Sequence, residues 1–180
     1  PASNKGKLLL DFKYAYEDDQ YYQTDDFTAT DTADVTIFEY LSAGLTFERN
    51  TLDRKLYPKN GTVFSAKYRY VDGRERTIPG STGIFENTRR ADHKYHVVKV
   101  NYENYFKSIG KLDMGIQFDA QISSQGFFAN QKATLLNAPF YQPIPESRTI
   151  FQDEFRAHAF SAAGLKLVYG LTNSVLYGRI

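Results

Sequence analysis

The sequence predicts an all-β fold: an antiparallel, up-and-down transmembrane β-barrel, of which the 180 residues form one partial barrel domain, 1–180, with about seven strands. Three observations predict it. Polar and apolar residues alternate along several long stretches, as in strands with one apolar and one polar face. No run of about 18 apolar residues occurs, which excludes a transmembrane helix. Long and short connections also alternate along the chain.

The clearest alternation lies between Lys111 and Ser123. Every even position from Leu112 to Ile122 is apolar, and every odd position from Lys111 to Ser123 is polar or glycine. The stretch is longer than the usual strand of about 5–6 residues. It is long enough for a tilted strand that crosses a bilayer, which needs roughly 9–11 residues. We expect its apolar side chains to face lipid and its polar side chains to face a wet lumen.

The same pattern predicts six further strands. In chain order they are Lys7–Glu17, Val35–Arg49, Thr62–Val71, His93–Phe106, Arg156–Tyr169 and Ser174–Ile180. Glu39 interrupts the apolar face of the second of these, either because it lies beyond the lipid or because a bulge shifts the phase. Bacterial single-chain barrels have even strand numbers from eight upwards. We therefore expect an open, curved sheet whose edges meet missing strands of the same protein or a neighbouring chain.

The predicted connections differ in length between the two ends of the strands. The longer ones are Asp18–Asp34, Asp72–Asp92 and Ser124–Glu154; the shorter ones are Asn50–Gly61, Lys107–Gly110 and Gly170–Asn173. Bacterial outer-membrane barrels have long extracellular loops and short periplasmic turns. The asymmetry therefore predicts a bacterial outer-membrane location, with the long loops outside the cell.

Composition narrows the chemistry. The chain has no cysteine, so it has neither a disulfide framework nor a thiolate metal site, and its net charge of +1 does not favour nucleic acid. The acidic stretch Asp18–Asp34 indicates either a solvated loop or a divalent-cation site of no recognised loop spacing. His93 and His96 are three residues apart on a strand, so they point to opposite faces and cannot share a metal. We expect no cofactor.

Two sets of charged residues suggest contacts. The first set is predicted to line the lumen as a mutually compensating wall: Lys67, Arg69, Lys99, Glu103, Asp113, Asp119 and Lys166. The second set is predicted to lie at the outer surface: Arg74, Arg76, Arg89 and Arg90. The second set is explained either by ordinary solvation or, alternatively, by contact with the phosphates of lipopolysaccharide. From the predicted outer-membrane location, the expected partners are outer-membrane lipid and lipopolysaccharide.

One turn carries a resemblance to a known family. Leu52-Asp53-Arg54, followed by Tyr57-Pro58-Lys59-Asn60-Gly61-Thr62, resembles the periplasmic turn signature of the BamA/TamA outer-membrane superfamily. Asp53, Arg54, Pro58 and Gly61 carry the match. Pro58 restricts φ at a turn corner, and Asn60-Gly61 is expected to supply positive φ angles.

A second resemblance covers the later part of the chain. Three segments are similar to the C-terminal barrel of bacterial patatin-like phospholipases: Leu136-Asn137-Ala138-Pro139, Phe151 to Ala157 and Ala163-Gly164-Leu165. Within the second segment, Phe155-Arg156-Ala157 corresponds to a motif that the superfamily inserts into the lumen, although Ala157 and His158 depart from it. This implies that Arg156 reaches inside and pairs with a lumen Asp or Glu, since its planar fork fits a carboxylate.

The resemblance implies a Gram-negative outer-membrane barrel that anchors, translocates or positions an attached patatin-like lipase domain. The chain itself has no Gly-x-Ser-x-Gly elbow, so any lipase chemistry would lie outside it. One alternative is the barrel of a factor that assembles or secretes other outer-membrane proteins. Another is a soluble antiparallel β-domain that binds an apolar ligand.

Overall fold

The computed structural model describes residues 3–55, 57–141, 155–170 and 175–179. The strands are β1 (Ser3–Tyr21), β2 (Asp34–Asn50), β3 (Gly61–Ile78), β4 (Arg89–Ile109), β5 (Leu112–Ser123), β6 (Ala159–Gly170) and β7 (Val175–Arg179). One short helix, α1 (Gln131–Leu136), lies between β5 and β6. None of the helical structure in the described ranges is long and apolar enough to cross a membrane.

The strands form one antiparallel sheet in which each strand pairs with its neighbours in the sequence, in the order β1-β2-β3-β4-β5-β6-β7. The sheet curls into a half-barrel. Over the described residues, β1 pairs only with β2 and β7 only with β6, so the sheet is open. The predicted all-β, up-and-down architecture and the predicted open, curved sheet are confirmed.

β3 and β4 are longer than the sequence pattern predicts. β3 continues to Ile78 instead of ending at Val71, and β4 begins at Arg89 instead of at His93. The predicted loop Asp72–Asp92 is therefore wrong. Residues 72–77 remain in the sheet because they pair with both β2 and β4, and Ile78 pairs with β2. Their outward side chains are charged except for Ile78, so they give no apolar alternation from which a strand could be recognised.

The register of β2 is regular through Glu39, which lies opposite Tyr16 of β1 and Arg74 of β3. A bulge at this position is thus wrong as an explanation for the interrupted apolar face. Glu39 stays on the face that also carries Leu41, and it accepts a hydrogen bond from the Tyr14 hydroxyl at 2.7 Å.

The connections lie at two ends of the sheet. We call one end the upper rim, which carries connections 22–33 and 79–88 and the described residues between β5 and β6, and the other the lower rim, which carries connections 51–60 and 110–111. The alternation in loop length is weaker than predicted, because 79–88 is no longer than 51–60. The sixth strand begins at Ala159 rather than at Arg156. The predictions for 142–154 and 171–174 lie outside the described residues.

The predicted irregular stretch Ser124–Glu154 contains α1, which the sequence pattern did not reveal. Asn130 caps this helix: its side-chain oxygen accepts a hydrogen bond from the amide of Ala133 at 2.8 Å. Such a cap satisfies an amide that has no partner within the first turn. The helix covers the concave face of the sheet near the upper rim, where Ala133 is fully buried.

The apolar core lies on the concave face near the upper rim. It consists of Phe38, Val71, Tyr95, Phe128 and Ala133. The first three come from adjacent strands, and the last two come from the connection after β5. Long-range packing of this connection against the sheet therefore forms the core.

Candidate functional site

The outer face of the sheet exposes a continuous band of large apolar side chains, which we call the apolar belt. The belt consists of Leu8, Leu10, Phe12, Tyr14, Leu41, Leu45, Phe47, Tyr68, Val98, Ile116, Phe118, Ile122, Leu165 and Tyr169. Phe12 is 81% exposed and Leu10 is 70% exposed. Contiguous apolar patches beyond a few hundred Å² are rare on soluble monomers, so a belt across six strands is unusual for a protein surface exposed to water.

The concave face opposite the belt is polar. Its buried side chains include Ser42, Thr46, Ser65, Gln117 and Lys166. Because successive residues of a strand point to opposite faces, the strand pattern that predicts the belt also predicts this polar face. We call the part of the sheet between the lower rim and the level of Tyr70 and His96 the lower half, and the rest the upper half. In the lower half the chain therefore places apolar side chains outside and polar side chains inside, the reverse of a soluble domain.

Ion pairs and hydrogen bonds compensate charges along the concave face. The Arg69 guanidinium pairs with Asp11 and donates a hydrogen bond to the Ser42 hydroxyl at 2.8 Å. Lys166, only 7% exposed, pairs with Glu103 at 2.6 Å. These pairs agree with the predicted mutually compensating wall for Arg69, Glu103 and Lys166, whereas Lys67 and Lys99 of the same set lie directly opposite each other on β3 and β4 with like charge. Asn101 likewise donates to Asp119, and Lys59 pairs with Asp113 at 3.6 Å.

The polarity of the two faces is reversed in the upper half of the sheet. Along β3 and β4 the outward residues form three cross-strand rows above Tyr70 and His96, namely Asp72 with Lys94, Arg74 with Asp92 and Arg76 with Arg90. The inward residues Val71, Gly73, Glu75, His93 and Tyr95 at the same levels are buried, whereas Ala91, opposite Glu75, is exposed. In the upper half, β3 and β4 therefore have a charged exterior and a largely packed interior, as a soluble β-domain has.

The connection after β5 folds onto this interior, and we call residues 124–141 the plug. The Phe128 ring stacks on the His93 ring with 4.1 Å between centroids and meets Phe38 edge-on at 5.0 Å. Phe128 is 4% exposed. Aromatic pairs in these geometries contribute about 0.5–1.5 kcal/mol beyond the burial of area. The plug is therefore held by packing as well as by hydrogen bonds.

A buried carboxylate connects the plug to the strands. Glu75, 2% exposed, accepts hydrogen bonds from the Thr77 hydroxyl at 2.7 Å and from the plug amide of Ala129 at 2.9 Å. Its second oxygen lies 2.8 Å from the Nε2 atom of His93. Asn130 of the plug also donates to the Tyr21 hydroxyl at 2.7 Å. Glu75 thus contacts polar groups from β3, β4 and the plug at once, and these partners together constrain the position of its carboxylate.

Arg156 lies against the plug. Its guanidinium donates to the carbonyl oxygens of Leu135 and Leu136 at 3.2 and 2.5 Å and lies over the Phe140 ring, with its Cζ atom 5.4 Å from the ring centroid. A cation is favourable beside the carbonyl groups that end a helix. The described contacts of Arg156 therefore include the C-terminal end of α1, in addition to any carboxylate partner of the kind that the resemblance implies.

The turn 51–60 is organised by Asp53. Its carboxylate accepts hydrogen bonds from the amides of Lys59 at 3.0 Å and Asn60 at 3.3 Å, and Arg54 lies 3.8 Å away. Desolvation alone would raise the pKa of Asp53, but these amides and the Arg54 charge outweigh it and hold the pKa below its usual value. Of the four residues of the predicted turn motif, Asp53 and Arg54 therefore form an ion pair with each other.

The remaining turn residues are placed partly as expected. Pro58 is buried, and Gly61 has a φ of +111°, a region that favours glycine. A side chain at Gly61 would also lie 2.4 Å from the carbonyl oxygen of Thr51. The expectation for Asn60 is wrong, because the second positive φ in the described part of this turn belongs to Tyr57, at 51°.

The upper-rim connections are joined by hydrogen bonds around Asp31. Asp31 accepts from the Thr28 amide and from the hydroxyl of Ser81, both at 2.7 Å, and these bonds hold its pKa below the usual value. Asp31 thus has a structural role that joins connection 22–33 to connection 79–88. Within the described ranges, no group of three or more His, Asp or Glu side chains could hold a metal ion.

The two strand histidines point to opposite faces, as their spacing predicts. His93 is 7% exposed in the core, whereas His96 lies on the outer face with its Nδ1 atom 2.7 Å from the Tyr68 hydroxyl.

Comparisons with protein-family models, with curated proteins and with solved structures find no match for this chain.

Sequence reasoning missed the plug and the part of Glu75 in holding it. Glu75 lies in a stretch of alternating charges that resembles a solvated loop, and Phe128 lies in a segment without periodicity. One signal was available: Ser124–Asn130 includes the adjacent pair Phe127-Phe128, and a solvated loop rarely carries two adjacent large aromatics.

Proposed function

We propose that this chain forms part of a β-barrel in a bacterial outer membrane, with the apolar belt in contact with lipid. The observation that carries the proposal is the joint placement of the apolar belt outside and the buried polar side chains inside, in the lower half of one curled sheet. A transmembrane barrel requires this arrangement, because its exterior contacts hydrocarbon and its lumen contacts water.

Lipid contact accounts for the belt energetically. Moving a large apolar side chain from water into hydrocarbon is favourable by about 1.5–3 kcal/mol. With side chains such as Phe12 and Leu10 more than two-thirds exposed, the belt in water would be a strong aggregation site. In lipid the same surface stabilises the fold. Strand hydrogen bonds satisfy the backbone within the sheet, and the open edges of β1 and β7 require further strands to cover them.

The residues at the upper border of the belt support the same proposal. Tyr68 and Tyr70 lie on the outer face just below the charged rows of β3 and β4, and Tyr14 lies level with the lowest row, that of Asp72. Aromatic side chains with a polar tip favour the boundary between hydrocarbon and water. On the resemblance of the turn around Asp53 to a periplasmic turn, the lower rim lies on the periplasmic side, and the upper rim lies outside the cell.

In this proposal the biochemical role is that of an anchor. The barrel holds an attached domain at the outer membrane, and on the resemblance of its motifs that domain is a patatin-like phospholipase. The plug covers the concave face at the upper rim, which suits an anchor better than an open pore. A barrel that assembles or secretes other proteins is the second candidate, and the plug would then have to move.

The proposal predicts different environments for neighbouring positions. The chain lacks cysteine, so Leu45→Cys on the belt and Lys67→Cys on the concave face can each carry one environment-sensitive fluorophore. In the intact protein reconstituted in lipid, we expect the Leu45→Cys label to emit at shorter wavelength and to be quenched by brominated acyl chains. The Lys67→Cys label should be quenched by iodide.

Arg74→Cys, on the outer face above the belt, is the matched control, and its label should respond to iodide despite lying on the same face as Leu45. If the protein is monodisperse without detergent and the Leu45→Cys label is quenched by iodide, the soluble β-domain replaces the proposal. Binding of an apolar dye with loss of that quenching would then support the ligand-binding alternative.

A further inference from the structure

The uppermost charged row of the outer face brings two arginines together. Arg76 and Arg90 lie directly opposite each other on β3 and β4, and both side chains are exposed. Opposite residues in an antiparallel pair have Cβ atoms about 4.5–5.5 Å apart, and like charges in such pairs destabilise the sheet. Neither guanidinium has an ion pair with any residue in the described ranges, so this cost is not offset there.

The other charges on this face leave the row positive. Arg74 pairs with Asp92 at 3.7 Å, and Lys94 pairs with Asp72 at 3.3 Å. Glu39 and Asp18 each add one negative charge to this face, so the face as a whole is neutral, and its unpaired positive charge is concentrated at Arg76 and Arg90. The surface also forms a groove of about 500 Å³, whose lining includes the two arginines, Tyr16 and the carboxylates of Glu39 and Asp92.

We infer that this groove binds phosphate groups of lipopolysaccharide through Arg76 and Arg90. The inference rests on the proposed membrane location, because it uses the apolar belt to set the height of the groove above the lipid. Two guanidinium groups on adjacent strands suit a phosphate, since each can donate two parallel hydrogen bonds to its oxygens. An anion between them would also remove the like-charge repulsion.

The height of the row favours lipopolysaccharide over a phospholipid. Arg76 lies six residues beyond Tyr70 in β3, which at about 3.4 Å per residue is roughly 20 Å along the strand. With a strand tilt of about 40°, the row lies roughly 15 Å above Tyr70. A phospholipid headgroup layer is only about 5–7 Å thick. Phosphates on the sugars of lipopolysaccharide extend further from the membrane than those of a phospholipid.

The test measures binding of lipopolysaccharide to the intact protein in phosphatidylcholine nanodiscs, for the wild type and for Arg76→Gln/Arg90→Gln. We expect binding at least about tenfold weaker in this double variant, because it removes charge-assisted hydrogen bonds from both arginines. Its dependence on salt should also be weaker. The control Arg54→Gln/Lys55→Gln removes two exposed positive charges from the lower rim, and it should bind as the wild type does.

Two further probes identify the ligand group. Dephosphorylated lipopolysaccharide should bind the wild type as weakly as the intact lipid binds Arg76→Gln/Arg90→Gln, and phosphatidylglycerol should not distinguish the two proteins. Equal binding of lipopolysaccharide by the wild type and this double variant overturns the inference, and so does an equal loss in the lower-rim control. Stronger binding of phosphatidylglycerol than of lipopolysaccharide would contradict the inference that the arginine row lies above the phospholipid headgroups.

Failure of the inference is distinguishable from failure of the proposed function. A protein with its belt in lipid but with unchanged lipopolysaccharide binding in the double variant refutes only the inference. Labelling from outside the cell separates a third case: Glu86→Cys on the upper rim should react with an impermeant maleimide, and Lys55→Cys on the lower rim should not. The opposite result places the arginines in the periplasm and overturns the inference while leaving the barrel intact.

Discussion

The lower and upper halves of the sheet use the same strands with opposite polarity. In β3, Tyr68 and Tyr70 point outward below the charged rows, whereas Val71 points inward into the core and Arg74 above it points outward. The backbone register is continuous between them. The difference therefore arises from side chains alone: the alternation of apolar and polar residues in β3 changes phase between Tyr70 and Val71 while the strand continues.

This difference shows how one strand can serve two environments. A strand presents two faces throughout its length, and the surroundings determine which face must be apolar. In the lower half the proposed surroundings are lipid outside and water inside. In the upper half, water lies outside and the plug lies inside. The level at which the phase changes is therefore the boundary that the membrane proposal requires.

The largest expected effect tests the packed interior of the upper half. Phe38→Ala should reduce the free energy of unfolding by about 3–5 kcal/mol, because Phe38 is 1% exposed and its removal leaves a cavity. Phe118→Ala on the belt is the matched control and should cost about 2 kcal/mol, since lipid chains fill the space. Reversible unfolding of the intact protein in lipid measures both. A larger loss for Phe118→Ala would contradict the comparison.

A somewhat smaller effect tests the lower half. Phe118→Arg should cost about 2–4 kcal/mol if this position lies near the middle of the bilayer. Gln121→Arg, three residues further along β5 on the concave face, should cost much less, because a cleft of about 330 Å³ beside it can receive the longer side chain. Gln117 is a poorer control because it is only 5% exposed. Equal losses for the two variants would argue against lipid contact.

The smallest expected effect tests the connection between the plug and the sheet. Glu75→Ala leaves the Ala129 amide and the Thr77 hydroxyl without their buried acceptor, which should cost about 1–3 kcal/mol. Local opening of the plug should expose Lys132 of α1 to trypsin. Glu75→Gln keeps an acceptor oxygen and should restore most of the protection. Glu48→Ala, on the concave face of the lower half, should leave the cleavage rate unchanged; faster cleavage there would indicate general unfolding.

The sequence by itself determined the lower half of the sheet. Strict alternation in Lys111–Ser123 predicted β5, its two faces and its antiparallel neighbours, because each face has one constant environment along the whole strand. The turn around Asp53 was also recognisable, since its interactions are local: a carboxylate, two amides a few residues away and a glycine with positive φ.

Only the tertiary structure decided the upper half. The extension of β3 to Ile78, the inward position of Glu75 and the plug depend on partners far away in the sequence, such as Ala129 for Glu75. A charged residue in a strand is predicted to be exposed to solvent unless the segment that covers it is known. Period-two patterns specify which residues share a face, but the contacts between distant segments specify whether that face meets water, protein or lipid.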